Sequence, residues 1–455
     1  MIEVITIDTP SLGDRSYLAT DGTVAVVVDP QRDLDRVMKL IEERGLEVTH
    51  VFETHVHNDY VTGGYALARQ LGAAYVLSAD DEVAFDRTGA RDGDRFQAGA
   101  MAVTALHTPG HTPTHLSYAL ADADGRHLGV FTGGSLLYGT VGRPDLISPE
   151  MTESLARSQF RSAKRLAKLL PDDAAIHPTH GFGSHCSAVQ ATKPSSTIGG
   201  ERGDNPALVH GDEDAFVREL ISSLTPHPTY YAHMAPINRQ GPDPFDPTPP
   251  VPVDLDALVN ALDEGTWVLD LRNRKLYSRS HLVGTINAEL RDDLANYVGW
   301  FVPFGTALIL IGETSEEIAE AQRMLARIGY DRLRGQALAG ELAWDGHDRE
   351  RSLKLARFTE LAATDADARV VLDVRDGWEW ESGHHPDAVH IPFHELRDRL
   401  DEVPRDRPVW VYCATGARAT FAVSLLEQAG IDAVLVDDFC LPGDVPGVDA
   451  QAVSA

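Results

Sequence analysis

Seven consecutive residues, Thr54-His55-Val56-His57-Asn58-Asp59-Tyr60, place two imidazoles and a carboxylate directly behind the apolar pair Val51-Phe52. A strand ending in such a loop can aim its imidazoles and carboxylate at one point, as a bound cation requires. A second kind of chemistry is written far downstream. Cys413 opens the loop Cys413-Ala414-Thr415-Gly416-Ala417-Arg418, between the apolar run Val409-Trp410-Val411-Tyr412 and a helical pattern carried by Phe421, Leu425 and Leu426. Backbone NH groups of such a loop, the helix N-terminus and Arg418 would all favour a thiolate, which can accept a sulfane sulfur as a persulfide and pass it on.

These groups need scaffolds, and the chain is long enough to supply them. Its 455 residues suggest about three domains at ~150 residues each, with 43% hydrophobic content to fill their cores. Val24-Ala25-Val26-Val27-Val28 reads as a buried strand ending at Asp29-Pro30, Leu34, Val37, Met38 and Ile41 have helical spacing, and Tyr65 to Leu71 should form a helix behind the metal loop. The start, Met1-Ile2-Glu3-Val4-Ile5-Thr6, lacks a basic and then apolar leader, and no apolar stretch approaches the ~20 residues that span a bilayer, so a soluble cytoplasmic protein is expected. A formal charge of -29 argues against nucleic acid or an anionic membrane as partner. Cys186, Cys413 and Cys440 are too scattered for a disulfide framework and stay available as thiols.

Further blocks follow the first loop in order: Thr108-Pro109-Gly110-His111-Thr112, Phe131-Thr132-Gly133-Gly134 and Pro178-Thr179-His180-Gly181. Together they resemble the metallo-β-lactamase superfamily over residues 1–225, which implies an αββα sandwich. The resemblance carries the first metal site onto His55, His57 and His111, and part of the second onto Asp59 and His180. Two positions depart from the pattern: Tyr60 replaces a histidine ligand and Gly134 replaces the bridging aspartate. One iron or zinc ion per chain is therefore expected in place of a two-metal centre. Zinc suits three histidines with an open fourth position, whereas iron would need a carboxylate such as Asp59.

Gly142-Arg143-Pro144-Asp145-Leu146, Gly181-Phe182-Gly183-Ser184 and Lys193-Pro194-Ser195-Ser196-Thr197-Ile198-Gly199 look like the persulfide dioxygenase branch of that superfamily. Such enzymes oxidise a low-molecular-weight persulfide to sulfite on mononuclear iron. Their iron ligands would fall on His55, His111 and Gly134, and glycine has no side chain to offer. Cys186, His107, His115 and His177 are expected to be packed residues and not ligands.

Prolines crowd residues 226–252 at a density that neither a helix interior nor a central strand tolerates, so a linker is expected there, interrupted by Tyr230-Tyr231-Ala232-His233-Met234, which should pack part of it against the first domain. Beyond it the chain repeats. Val268-Leu269-Asp270-Leu271-Arg272 is echoed by Val371-Leu372-Asp373-Val374-Arg375, at an offset of about 103 residues. Both copies, residues 253–345 and 355–450, resemble rhodanese domains, α/β units with parallel sheets. In the first, Gly312 stands where Cys413 stands in the second and glutamate replaces arginine, so that copy should be catalytically silent and serve packing or dimer contacts.

The leading expectation is a sulfur-handling enzyme in which a persulfide dioxygenase-like metal domain is coupled to a sulfurtransferase, with Cys413 as nucleophile and Arg418 as its electrostatic support. Small thiols, persulfides, thiosulfate or sulfite would be its partners, and a homo-oligomer is expected. A glyoxalase II-like thioester hydrolase and a non-catalytic first domain are the alternatives.

Overall fold

The computed structural model describes residues 1–190 and 193–440, so residues 441–450, expected at the end of the last domain, lie outside the described residues. The strand Val24–Val28 explains the layering of the first half. Alternate side chains leave a strand on opposite faces, and here Val26 and Val28 enter one core while Ala25 and Val27 enter another. An apolar residue at every position is what burial on both faces demands.

That strand lies inside a six-stranded sheet ordered Glu3–Thr9, Asp14–Thr20, Val24–Val28, Glu47–Phe52, Ala74–Ser78, Thr88–Ala90. A second sheet runs Ser196–Thr197, Ala175–Pro178, His127–Gly133, Leu116–Ala121, Met101–His107, Arg95–Ala98. Tyr17, Val26, Phe52 and Val76 of the first sheet meet Met101, Val103, Tyr118 and Phe131 of the second in one core. Helices Asp35–Arg44 and Gly64–Leu71 cover the outer face of the first sheet through Val37, Ile41 and Leu67. Helix Thr152–Leu169 covers the second through Ala156, Phe160, Ala163 and Leu166. The result is the expected αββα sandwich. The chain segments that carry His55, His57, Asp59, His111, Gly134 and His180 all follow the C-terminal ends of its strands.

The proline-rich stretch packs against the first domain, as residues 230–234 suggest, and over more of its length than expected. The first compact unit continues to Asp246 and includes Arg323–Gly329, and a second unit runs from Pro247 to Gln322 and resumes at Tyr330. Residues 226–246 are thus no linker, because Tyr231–Gln240 folds as a helix despite Pro236 and buries Tyr231, Met234, Ala235 and Asn238. The Asn238 amide donates to the carbonyls of His57 (2.9 Å) and Tyr60 (2.8 Å) and accepts from the Thr62 NH (2.9 Å). Asn238→Ala leaves three buried backbone groups unpaired and should destabilise the first unit by roughly 2–4 kcal/mol, read as a lower urea midpoint. An unchanged midpoint would show that the helix is not what fixes the loop.

In the second unit two parallel sheets repeat one design. The first is ordered Ile286–Asn287, Trp267–Asp270, Leu308–Gly312, Leu333–Leu338, and the second Ala388–His390, Val370–Asp373, Val409–Tyr412, Ala433–Val436, Lys354–Ala356. The repeat extends to single bonds. Arg272 grips Asp270 through Nε (2.9 Å) and Nη2 (2.6 Å), and Arg375 grips Asp373 in the same way (3.0 and 2.7 Å). Among the described residues no helix is long and apolar enough to cross a membrane.

Candidate functional site

Asp29 anchors the first site. It ends the strand Val24–Val28 at φ 50°, where its carboxylate accepts from the Thr54 NH (2.7 Å), the Thr54 hydroxyl (2.8 Å) and the Thr179 hydroxyl. One buried carboxylate thereby ties together the starts of the two loops that carry His55 and His180.

Around this anchor each histidine has one nitrogen fixed. His55 Nδ1 meets the Thr54 hydroxyl at 2.9 Å, and His111 Nδ1 donates to the Arg143 carbonyl at 2.8 Å. His57 Nε2 lies 2.9 Å from Glu53 and 3.2 Å from Asp29, and His180 Nδ1 lies 2.9 Å from Asp14 and 3.1 Å from Asp59. Among the described residues His57 Nδ1 and His111 Nε2 are buried without a hydrogen-bond partner, and His180 Nε2 faces His55 Nε2 at 3.4 Å. Imidazoles held at the outer nitrogen by a carboxylate or carbonyl, with the other nitrogen free, have the tautomer and aim of metal ligands. These residues fit a cation held by nitrogen.

Charge in the cluster follows from burial. Burial would lower His180, but the carboxylates of Asp59 and Asp14 outweigh it and push the imidazole up to about 9. Burial, then the Asp59 charge, pushes Asp14 up to about 7. His111 has weaker anionic support, and burial followed by the His180 charge drives it down to about 3, a neutral ring at physiological pH.

The expected ligands do not all converge as expected. His55 and His57 come together with His180, whereas His111 groups with His180 and Cys186, each set within 4.8 Å. His180 is therefore the hub, where the family pattern suggested only part of a second site. Asp59 lies 3.1 Å from His180 Nδ1, and Asp14, Asp59 and His180 form a further buried group whose ligand atoms lie within 4.8 Å of one another. Tyr60 stacks on His57 at 4.3 Å between ring centroids and bonds its Nε2 through the hydroxyl at 2.9 Å, so it props a ligand. At Gly134 a Cβ would stand 2.3 Å from the His111 ring, which fills the space a carboxylate would need. His115 is a clamp, its Nε2 accepting from the Gly134 NH at 3.0 Å. Sequence reasoning missed Asp14, Glu53 and Asn238, and it set Cys186 aside as packing. For Asn238 the spacing Tyr231, Met234, Ala235, Asn238 was a helical face in plain view.

The second site is the turn after the strand Val409–Tyr412. Gly416 adopts φ 88° before the helix Ala417–Gln428 and donates its NH to Cys413 Sγ at 3.2 Å. Cys413 itself is 1% exposed. Arg418 interacts electrostatically with Cys413, as expected, and its guanidinium is also paired: it grips Glu379 at 2.6 and 2.9 Å and reaches Asp376 at 3.2 Å. Buried Glu379 closes a capping box on the helix Gly377–Glu381 and needs a counter-charge, which Arg418 provides.

A second cation overlies the loop. Arg274, from the first repeat, donates to Asp437 (2.6 Å), Glu289 (2.8 Å) and the Thr415 carbonyl (3.3 Å). In the first repeat a Cβ at Gly312 would stand 2.7 Å from Ile318, so that turn has no room for a thiol.

The chain belongs to the metallo-β-lactamase superfamily, matched over residues 14–180, and carries a rhodanese-like domain at residues 358–438. It is 31% identical over 231 residues to persulfide dioxygenase ETHE1, mitochondrial, of Homo sapiens, covering 50% of this chain and 82% of that protein. It is likewise 31% identical over 175 residues to a hydroxyacylglutathione hydrolase of Rhizobium johnstonii, covering 36% of this chain and 63% of that protein. A solved metallo-beta-lactamase structure from Staphylococcus aureus subsp. aureus COL superposes with a TM-score of 0.66 at 30% identity, covering 74% of this chain and 98% of that one.

Proposed function

We propose that the protein is a sulfur-handling enzyme of the reducing cytoplasm in which Cys413 carries sulfane sulfur and the first unit holds a cation that binds a small thiol or persulfide. The observation that carries the reading is the Cys413 turn. Its sulfur receives a backbone NH at the N-terminal end of a 12-residue helix, inside the segment similar to rhodaneses. Partial positive charge there attracts an anionic sulfur donor such as thiosulfate.

The thiolate attacks the outer sulfur of thiosulfate or of a persulfide. The S–S bond of the donor breaks, sulfite or a thiolate leaves with the bonding pair, and Cys413 becomes a persulfide. An acceptor thiolate or cyanide then removes that sulfur and the Cys413 thiolate returns. No external oxidant or reductant enters this cycle. The first repeat is read as a rhodanese-like copy without a thiol, which supplies Arg274 to hold the loop.

In the first unit His55, His57, His111 and His180 would hold the cation, which when bound supplies a Lewis-acidic position for a sulfur or oxygen ligand. Likeness to persulfide dioxygenase ETHE1 over most of that protein's length supports persulfide as the substrate class. A two-metal thioester hydrolase is disfavoured, since Gly134 offers no bridging carboxylate.

The test is oxygen uptake with glutathione persulfide, run beside sulfur transfer from thiosulfate to cyanide on the same preparation. Transfer without uptake would remove oxygen chemistry from the first unit while leaving its cation site in place, and absence of both activities would remove the reading. Arg274→Ala should lower the transfer rate by roughly 10- to 100-fold, because a loop displaced by about an ångström misaligns the attack. It should also speed alkylation of Cys413, and an unchanged rate would show that Arg274 does not position the loop.

A further inference from the structure

We propose that Cys186 is a metal ligand: its thiolate takes the place of the carboxylate that position 134 lacks, joins His111 and His180, and makes the centre select zinc over iron. The proposal deepens the reading of the first unit given above and rests on that unit holding a cation.

Three observations converge on it. The ligating atoms of His111, His180 and Cys186 lie within 4.8 Å of one another and all three residues are buried. His111 Nε2 is a buried nitrogen with no hydrogen-bond partner among the described residues, while its Nδ1 is fixed by the Arg143 carbonyl. The same Arg143 holds the thiol-bearing segment: its NH donates to the Cys186 carbonyl at 2.9 Å and its Nη1 to the His185 carbonyl at 3.1 Å. Through its two peptide groups and its side chain, one residue fixes the spacing between imidazole and thiol. A fixed spacing of this kind is what a preformed metal site requires.

Position 134 supplies the complement. The His111 ring occupies the volume in which a carboxylate would sit, so the oxygen donor of a two-histidine, one-carboxylate iron site has no room there. A thiolate with imidazoles is a softer donor set and favours zinc. On coordination the Cys186 thiol releases its proton to solvent and its sulfur donates a lone pair to the cation.

The experiment uses the full chain, stripped with chelator and titrated with cobalt(II) and with zinc. Cobalt uptake should bring a sulfur-to-cobalt charge-transfer band in the near ultraviolet. Cys186→Ser should abolish that band and weaken zinc binding by at least about 100-fold. Cys413→Ser and Cys440→Ser should keep it. If Cys186→Ser fails to fold, X-ray absorption of the zinc-loaded wild type decides, since a bound thiolate gives a sulfur shell at about 2.3 Å. Cobalt bound without the band, a band that survives Cys186→Ser, or iron retained equally by both proteins would overturn the Cys186 assignment while leaving the first unit a metal domain. Absence of any metal uptake would overturn both.

Discussion

Replacing Cys413 by serine is expected to lower thiosulfate-to-cyanide sulfur transfer by at least about a thousandfold, because a hydroxyl is neither ionised near neutral pH nor able to form a persulfide. The substitution is nearly isosteric, and the Gly416 NH that donates to Sγ at 3.2 Å can donate to the serine oxygen instead. Folding should therefore be unaffected, and a circular dichroism spectrum and urea midpoint equal to those of the wild type would show it. Mass spectrometry of the wild type after thiosulfate treatment should find one added sulfur atom on the peptide that contains Cys413, and none on that containing Cys186 or Cys440. Retention of more than about a tenth of the transfer rate in Cys413→Ser would place the sulfur-carrying group elsewhere and remove the central claim.

The second large effect is on stability. Arg375 and Asp373 form an ion pair whose two side chains are both 0% exposed, and Asp373 also accepts from the Tyr412 hydroxyl at 2.6 Å. Arg375→Met removes the cation and leaves a sealed carboxylate. Breaking such a pair from one side costs about 3–5 kcal/mol, because the remaining charge has neither water nor a counter-charge. At roughly 2–4 °C per kcal/mol, the melting transition of the second unit should fall by roughly 6–20 °C. Calorimetry should show the fall. The double variant Asp373→Asn, Arg375→Met should recover much of the loss, since neither charge is then buried alone. A single variant that melts with the wild type would mean that water reaches Asp373 and that the repeat's shared Asp-x-Arg motif is not a stability device.

How far the sequence could be read depended on whether a residue's partners were near it in the chain. The strand Val24–Val28 was legible because five apolar residues ending at Asp29-Pro30 have few other uses. The two sheets of the second unit were legible because the motif Asp-x-Arg recurs, and a repeat advertises itself without any knowledge of contacts. The Cys413 turn could be found for the same reason, since strand, thiol, glycine and helix follow one another directly.

Charge assignments across the chain were not legible. Arg418 lies in the loop, yet its carboxylate partner sits 39 residues away at Glu379, and only folding reveals that the guanidinium is committed there. The cation that overlies the loop, Arg274, lies 141 residues from Thr415 and carried no motif. His180 was read as part of a second site because the pattern numbers ligands by order. The hydrogen bonds of Asp14 and Asp59, 166 and 121 positions distant in sequence, decide which way its ring faces. The proline-rich stretch was legible only in part, through its aromatic cluster. Proline counts described the neighbours correctly, while the helix Tyr231–Gln240 owes its place to tertiary burial of one face.

The helix Ala417–Gln428 is buried nearly all round, from Ala417 through Ala419, Thr420, Phe421, Ala422 and Val423 to Ser424, Leu425 and Leu426. Phe301 of the first repeat lies 4.7 Å from Phe421, and Asn287 of that repeat bonds Thr420 at 2.8 Å and Ser424 at 3.1 Å. A truncated protein that began after the first repeat would present this greasy surface to water and clump with its neighbours. The thiol-less twin thus acts as a built-in chaperone, and any fragment meant to carry sulfur would have to keep it.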